Sequence, residues 1–379
     1  MSTRKRVAVI GAGSMGSQAM WRLAARGADV VGYDRYAPGH DRGAAGGETR
    51  IFRAAHLSEP AYVPLLRLAD RLWDRLQQET GRALRHRNGS LIMGESASAP
   101  MRTLLSVSAA QGLDHEVLDR AALARRYPQH RLPEGHTAVL DRRGGTIRPE
   151  ASVQAAAGRA EQLGARLHRY TPVRELAPAA GGGVNVVTDH GTDQVDTAVV
   201  TAGPWINTLL PDLPRAVEIR RLVSSWHIPT THDWFAGGAP SFVRSAPHDC
   251  YGLPSPDGVS VKIGLSFARH LPVTDPERLD RTVDPAELGT FRELIGELMP
   301  DLNPDPVRLS VYMEGYTESG HPLVGHLPGE RDIVVLAGFS GSGFKFSPAM
   351  GEIAADLALD GTTEHAIDFL APTAPGPVV

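Results

Sequence analysis

The amino-acid sequence predicts an α/β protein in which a discontinuous Rossmann-like nucleotide-binding domain is joined to a β-rich (α+β) domain. Three features predict this architecture: a strand, glycine turn, helix and strand at the N-terminus, a long middle region of alternating strands, and a second glycine turn opening a helix near the C-terminus. At 379 residues and 40.6 kDa, the chain is also too long for one simple core, which agrees with two domains.

The N-terminal unit has the pattern of a dinucleotide-binding βαβ fold. An apolar run at 6–10 leads into a glycine turn and a helical pattern, and the next apolar strand ends at Asp34. The turn contains Gly11, Gly13 and Gly16, which permit close approach of the backbone to a pyrophosphate at the helix N-terminus. The acid then accepts a hydrogen bond from a ribose hydroxyl. A tight turn without a ligand is the alternative interpretation of these glycines.

The C-terminal segment returns to this pattern, with an apolar strand at 333–337, a glycine turn at 338–343 and a helix at 347–359. The region between about 216 and 316 instead has long alternating strands and many prolines, with one helical run at 285–298. We therefore expect the two ends of the chain to share one sheet, with the β-rich middle bearing the substrate contacts. Two independent domains in sequence order would leave the C-terminal strand without a partner sheet.

Composition and charge exclude several classes of protein. With 39 basic and 43 acidic side chains, the chain lacks the basic excess that follows a phosphate backbone, so nucleic acid is not an expected partner. No apolar run reaches the roughly 18 residues of a membrane span, and no signal core precedes the first strand. We therefore expect no membrane association and a cytoplasmic monomer or weak homo-oligomer.

The single cysteine, Cys250, excludes an internal disulfide and a Cys-based zinc site, and the histidines show no metal-ligand spacing. We interpret Cys250 as a small buried hydrophobe.

The use of lysine is unusual. Of the 39 basic residues, 36 are arginine and three are lysine, namely Lys5, Lys262 and Lys345. An ammonium is a compact point charge whose pKa shifts readily on burial, so a lysine deep in this chain suggests a task that guanidinium does not serve. Lys262 lies in an alternating strand pattern and Lys345 follows the C-terminal glycine turn. A strand lysine that reaches out to solvent is the alternative interpretation of Lys262.

A pair of arginines follows the N-terminal unit, in the segment Gly-Glu-Thr-Arg-Ile-Phe-Arg at 47–53. Arg50 and Arg53 are three residues apart and would share one face of a helical turn. In that arrangement one arginine pairs with a cofactor while the other reaches a ligand anion.

Four motifs together resemble the monomeric sarcosine oxidase and N-methyltryptophan oxidase family of FAD-dependent amine oxidases. They are Gly-Ala-Gly-Ser-Met-Gly at 11–16, Thr-Arg-Ile-Phe-Arg at 49–53, Tyr-Gly-Leu-Pro at 251–254 with a lysine eleven residues after its tyrosine, and Gly-Phe-Ser-Gly-Ser-Gly-Phe-Lys-Phe at 338–346. The resemblance implies an FAD-binding domain and a substrate-binding domain. The first comprises residues 1–86, 148–217 and 321–379, and the second comprises 87–147 and 218–320.

The resemblance also implies roles for individual residues. Those expected to bind FAD are Gly11, Gly13, Gly16 and Asp34 at the ADP half, Val173 near the adenine, Arg50 near the flavin, and Gly341, Gly343, Phe344 and Lys345 at its pyrimidine edge. Arg53 and Lys345 match the pair that holds the substrate carboxylate, and Lys262 matches the lysine at which oxygen reacts. Tyr251 and Glu314 are further active-site candidates. The implied reaction is hydride transfer from a secondary amino acid to flavin N5, with reoxidation by oxygen giving hydrogen peroxide.

The chain departs from the family's pattern at four positions. Gly46 replaces a histidine at the flavin, Ser266 replaces an active-site histidine, Tyr312 replaces the cysteine that bonds flavin covalently, and Glu314 replaces an active-site tyrosine. Without that cysteine we expect FAD to be bound non-covalently. Glu314 is either a surface acid or a partner for a cationic or hydroxylated group of the substrate, which makes sarcosine itself a doubtful substrate.

Several alternatives share parts of this pattern. On the same fold, the chain could be a flavin dehydrogenase, or an oxidase of 2-hydroxy acids or primary amino acids. A nicotinamide-dependent reductase would use the same βαβ unit, but would leave the C-terminal glycine turn and its lysine without a task. A flavoprotein that only binds its partners would have no use for Arg53 and Lys345.

Overall fold

The computed structural model describes residues 4–54, 60–236, 238–266 and 269–374. Within these residues the helices are α1 Ser14–Ala25, α2 Tyr62–Thr80, α3 Ala99–Ala110, α4 Arg120–Arg126, α5 Pro149–Gln162, α6 Ile206–Leu209, α7 Glu287–Leu298 and α8 Ser347–Asp360. The strands are β1 Arg6–Ile10, β2 Asp29–Tyr33, β3 Arg50–Phe52, β4 Arg85–His86, β5 Ser90–Glu95, β6 His115–Leu118, β7 His136–Asp141, β8 Gly145–Ile147, β9 Arg166–His168, β10 Val173–Pro178, β11 Val184–Thr188, β12 Gly191–Val195, β13 Thr197–Val200, β14 Glu218–His227, β15 Ser241–Arg244, β16 Cys250–Pro254, β17 Val261–Leu265, β18 Leu271–Pro272, β19 Arg308–Tyr316, β20 Leu323–Leu327 and β21 Glu330–Ala337.

A six-stranded sheet joins the two ends of the chain. Its order is β20-β21-β13-β1-β2-β9, and only the β20–β21 pair is antiparallel. Strand β21 pairs with β13, which pairs with β1, so the C-terminal strand belongs to the N-terminal sheet, as the sequence predicts. Helices α1, α2, α5 and α8 contribute to one apolar core with this sheet, because β1, β2 and β13 are buried apolar runs of the kind found in parallel sheets.

A larger and mostly antiparallel sheet is formed by the middle of the chain. Its order is β18-β14-β17-β16-β15-β5-β7-β6, and β19 pairs along β14. Helix α7 contributes Phe291, Leu294, Ile295 and Leu298 to the core under this sheet. This arrangement confirms the discontinuous α/β fold with a β-rich second region, whereas the exact domain boundaries given above stay a prediction.

The predicted elements agree closely with those observed. Apolar periodicity predicts helices over 60–78 and 151–163, and these are α2 and α5, each shifted by one or two residues at its ends. No helix in the described part of the chain combines the length and the apolar character needed to cross a bilayer.

Candidate active site

The turn between β1 and α1 depends on two of its glycines. Gly11 has a φ of +89°, and a Cβ there would lie 2.6 Å from the carbonyl oxygen of Thr201. A Cβ on Gly16 would lie 1.8 Å from the carbonyl oxygen of Gly11. Asp34 accepts a hydrogen bond of 2.6 Å from the amide of Ala12, so the carboxylate at the end of β2 also holds the turn. The glycines therefore let the helix start directly against the strands.

Substitution of Gly16 by alanine is expected to destabilise the protein by about 1–3 kcal/mol and to weaken cofactor binding, because the methyl group overlaps backbone atoms that cannot move aside. Thermal unfolding and retention of bound flavin measure both effects. Gly158→Ala is the matched control, since Gly158 also lies in a helix but a Cβ there meets nothing within 4 Å. That variant should be about 0.5–1 kcal/mol more stable than the unaltered chain. Equal effects of the two substitutions would contradict this account of the turn.

A cleft extends from this turn to the C-terminal glycine turn. The predicted cofactor residues that line it are Gly11, Gly13, Asp34, Arg50, Val173, Gly341, Gly343 and Phe344. Two further predicted cofactor residues do not line the cleft. Gly16 packs against the backbone of Gly11, and Lys345 follows the C-terminal glycine turn. The first turn of α1 carries no acidic residue and no side-chain cap, so its N–H groups are not neutralised from within the helix.

Arg50 and Arg53 lie in an extended segment, so the prediction that they share a helical face is wrong. Arg50 begins β3, which pairs with β8, and Arg53 directly follows the end of that strand. Arg50 lines the cleft and donates to the carbonyl oxygens of Thr49 and Ala44, at 2.8 and 2.6 Å. Arg53 lies outside this lining, near enough to Lys345 to lower the pKa of that ammonium. The two guanidinium groups thus lie in different environments: that of Arg50 lines the cleft, and that of Arg53 does not.

Arg53 and Lys345 form a pair of buried cations. Lys345 is 4% exposed, and its Nζ donates to the carbonyl oxygen of Ser342 at 2.8 Å. Burial and the nearby Arg53 hold the pKa of Lys345 well below its usual range. Burial lowers the pKa of Arg53 to about 10, which Asp141 partly opposes. The Arg53 Nη1 has no hydrogen-bond partner among the described residues, so the pair can bind an anion.

Lys262 is buried on β17 and does not reach solvent, which rules out the alternative interpretation of a surface lysine. Its Nζ donates to the carbonyl oxygens of Gly47 and Thr49, at 3.0 and 3.4 Å, and lies 5.5 Å from the ring centroid of Trp226. Burial, and then Arg50, lower its pKa well below the ordinary value. Lys262 is therefore a fixed and poorly solvated ammonium.

Glu314 lies at the second glycine turn and influences Tyr251 electrostatically. Glu314 lines the cleft, and its Oε2 would be 3.4 Å from a Cβ on Gly341. The Tyr251 ring lies over Gly264, where a Cβ would be 2.2 Å from the ring Cζ. Burial raises the pKa of Tyr251, and the Glu314 carboxylate adds to this. Glu314 is half-buried and lines the cleft from β19, so its carboxylate is accessible to a bound ligand, and its role there stays a prediction.

Two residues near Glu314 are not predicted from the sequence. Tyr316 contacts Glu314 directly, and His270 is linked to it through the Tyr316 hydroxyl. Tyr316 donates to Glu314 Oε2 at 2.9 Å, and His270 Nδ1 lies 2.9 Å from the Tyr316 hydroxyl. The alternation of Tyr312, Glu314 and Tyr316 could have indicated that all three share one face of a strand. No comparable signal marks His270, which lies in a loop between β17 and β18.

Comparison with known proteins identifies the family. Residues 6–357 match the family described as FAD dependent oxidoreductase. The chain belongs to this family. It is 34% identical to monomeric sarcosine oxidase from Streptomyces avermitilis over 377 residues, covering 98% of each chain, and 30% identical to N-methyl-L-tryptophan oxidase from Yersinia pestis, covering 93% and 94%. The solved structure of NikD, an unusual amino acid oxidase essential for nikkomycin biosynthesis, matches with a TM-score of 0.85 at 26% identity, covering 97% of this chain and 98% of NikD.

These matches make the chain an FAD-dependent amine oxidoreductase and confirm the resemblance seen in its motifs. The nicotinamide-dependent alternative is accordingly set aside. The cleft fits FAD, because it ends in two glycine turns and has an uncapped helix N-terminus beside Asp34. Among the described residues, no group of three or more His, Cys, Asp or Glu side chains could hold a metal ion.

Two departures from the family's pattern lie in contact. A Cβ on Gly46 would be 2.7 Å from the Tyr312 ring, and a Cβ on Gly47 would be 3.2 Å from the Tyr312 hydroxyl. The tyrosine thus occupies space that a side chain at position 46 would need, so a histidine there and this tyrosine exclude each other in this arrangement. Cys250 is buried on β16, where burial raises the pKa of its thiol to about 12, as suits a small hydrophobe.

Proposed function

We propose that the protein is an FAD-dependent oxidase of a secondary amino acid, N-methylated or cyclic. The observation that carries this proposal is the buried pair of Arg53 and Lys345, which suits a substrate carboxylate. FAD, when bound, supplies the acceptor for a hydride from the carbon next to nitrogen and returns the electrons to oxygen. The names of the relatives support the substrate class, because they include sarcosine oxidase and N-methyl-L-tryptophan oxidase.

The chain's own residues bind and orient the reactants. Arg53 and Lys345 hold the carboxylate away from water, which fixes the amine carbon relative to the flavin and converts the reaction into a positioned, effectively unimolecular step. Lys262 supplies a fixed positive charge where oxygen gains an electron, and we propose that hydrogen peroxide is the second product. A dehydrogenase would not need that charge, so a peroxide assay compared with a dye-linked assay separates the two activities.

A screen of N-methylated, cyclic and primary amino acids in both chiral forms tests the proposal directly. Each compound is mixed anaerobically with the FAD-loaded protein, and loss of the yellow flavin absorbance reports reduction. We expect bleaching by secondary amino acids. Bleaching by 2-hydroxy acids or primary amino acids alone would replace the proposed substrate class, and a protein that takes up no FAD would reject the proposal.

FAD is expected to be bound without a covalent link. The position that carries the flavin-bonding cysteine in the resembling family is Tyr312, and the histidine near the arginine motif is Gly46. The thiol of Cys250 is buried on another strand, 2% exposed. Acid precipitation should therefore leave intact yellow FAD in the supernatant. A pellet that stays yellow and gives a fluorescent band on a denaturing gel would contradict this.

A further inference from the structure

Glu314 places a negative charge at the turn that also carries Lys345. Its Oε2 would be 3.4 Å from a Cβ on Gly341, and Lys345 follows four residues later in the same segment. The turn is thus bordered by a carboxylate at one end and by the buried cation pair at the other. Opposite charges at two ends suit a zwitterion, whose carboxylate and ammonium require opposite partners.

A chain of hydrogen bonds leads from Glu314 away from the cleft. The Tyr316 hydroxyl is 2.9 Å from Glu314 Oε2 and 2.9 Å from His270 Nδ1, and His270 Nε2 is 3.1 Å from the carbonyl oxygen of Leu265. A carbonyl oxygen only accepts, so Nε2 carries a proton. Nδ1 then carries a proton only if the ring is cationic.

The number of protons in this chain decides which contacts are satisfied. A phenol hydroxyl has one proton, so with an ionised Glu314 and a neutral His270, Tyr316 can donate to only one of them. The three hydrogen bonds join Glu314 to Tyr316, Tyr316 to His270, and His270 to the carbonyl oxygen of Leu265. All three can form at once when this hydrogen-bond chain holds one more proton. Burial lowers the pKa of His270 and raises that of Tyr316. When the additional proton is on Glu314, this acid donates to Tyr316 while Tyr316 donates to Nδ1.

We propose that Glu314 binds the ammonium group of the substrate and accepts its proton, and that Tyr316 and His270 stabilise the resulting acid. This inference rests on the proposed function. In the step, one N–H bond of the ammonium breaks, its electron pair stays on nitrogen, and the proton forms an O–H bond on Glu314. The neutral amine has the free lone pair that a C=N bond requires.

Other charged and titratable groups influence this acid. Those that lie across from it or respond to its charge are Arg50, Arg220, Tyr251, Lys262, His270 and Tyr316. A secondary ammonium is an alkylammonium like that of lysine and loses its proton near pH 10.4 in water, so at about pH 7 most substrate arrives protonated.

The test compares the FAD-loaded protein with its Glu314→Gln variant in rapid anaerobic reduction by sarcosine and by L-proline, from about pH 6 to about pH 10. At about pH 7 the variant should lose roughly a hundredfold in the reduction rate constant divided by Kd, because a positioned base contributes about 10²–10⁴-fold. The loss should shrink as the pH approaches the pKa of the substrate ammonium, because more of the substrate then arrives as the neutral amine. Glu314→Asp should recover part of the rate, and Glu318→Gln, an exposed acid on the next segment, should match the unaltered protein.

Binding alone gives a second measurement. 2-Aminoisobutyrate has no hydrogen on the carbon bound to nitrogen, so it cannot be oxidised there, and perturbation of the flavin spectrum reports its Kd. Glu314→Gln should weaken it by about tenfold or more, because an ammonium–carboxylate bond is lost, while the Kd of acetate should not change.

The outcomes distinguish failure of the proton-acceptor role of Glu314 from failure of the proposed function. A loss that is equal at all pH values, or equal weakening of acetate and 2-aminoisobutyrate, would show that Glu314 is structural and overturn the proton-acceptor role. An unchanged variant would overturn it as well. If neither amino acid bleaches the unaltered protein, the same comparison is made with the secondary amino acid of the screen that does. If none of them does, the proposed function fails first, and this inference with it.

Discussion

Replacement of Lys262 by methionine is expected to slow flavin reoxidation by oxygen about hundredfold to thousandfold, while anaerobic reduction by the amino acid changes far less. Removal of one preorganised charge from a buried site costs about this much in rate. Among the described residues, the buried ammonium donates to two backbone carbonyls, those of Gly47 and Thr49, and to no side chain. It is therefore available to stabilise negative charge that develops on oxygen, a charge that the reductive step does not create.

Stopped-flow measurement of the two half-reactions tests this expectation. Lys5→Met is the matched control, because it makes the same substitution at a lysine that precedes the first strand. Since the pKa of Lys262 is lowered, reoxidation in the unaltered protein should decline as the pH rises through that pKa and the ammonium is lost. The methionine variant should lack this decline. Equal slowing of both half-reactions would show that Lys262 serves substrate binding or structure instead.

Substitution of Arg53 or Lys345 by alanine is expected to raise the Kd of the amino acid by about tenfold to a hundredfold in each case. A hydrogen bond to a charged group contributes roughly 1.5–3 kcal/mol, and each 1.4 kcal/mol corresponds to about tenfold. The Kd is measured from the concentration dependence of rapid anaerobic reduction. The effects of the two substitutions should not be additive, because Arg53 lowers the pKa of Lys345 and both cations are proposed to bind the same carboxylate.

An amine analogue without a carboxylate provides the control within each variant. Its binding should be unaffected or improved, since it gains nothing from the cation pair. Arg71→Ala, at an exposed position on α2, should leave the Kd of the amino acid unchanged. If the binding of this analogue weakens as much as that of the amino acid, the carboxylate-binding role of the pair is wrong.

Much of the fold could be predicted because its signals are local. The βαβ unit with its glycine turn and Asp34 is encoded within the first 34 residues, and β1 and β2 begin and end where the apolar runs do. The rarity of lysine indicated Lys262 and Lys345 before any contact was known, because burial of an ammonium is costly and needs a reason. The long motif at 338–346 and the arginine motif then indicated the family, which the comparisons confirm.

Contacts between distant segments required the tertiary structure. Whether Arg50 and Arg53 share a helical turn depended on whether the segment pairs with β8, far along the chain, and that pairing makes residues 50–52 a strand. The same holds for Gly46 and Tyr312, whose complementary fit joins positions 266 residues apart. Glu314, Tyr316 and His270 meet because β19 and the loop after β17 converge beside the cleft. Local periodicity reports which residues share an element, whereas hydrogen bonds and burial between elements depend on packing that one sequence does not display.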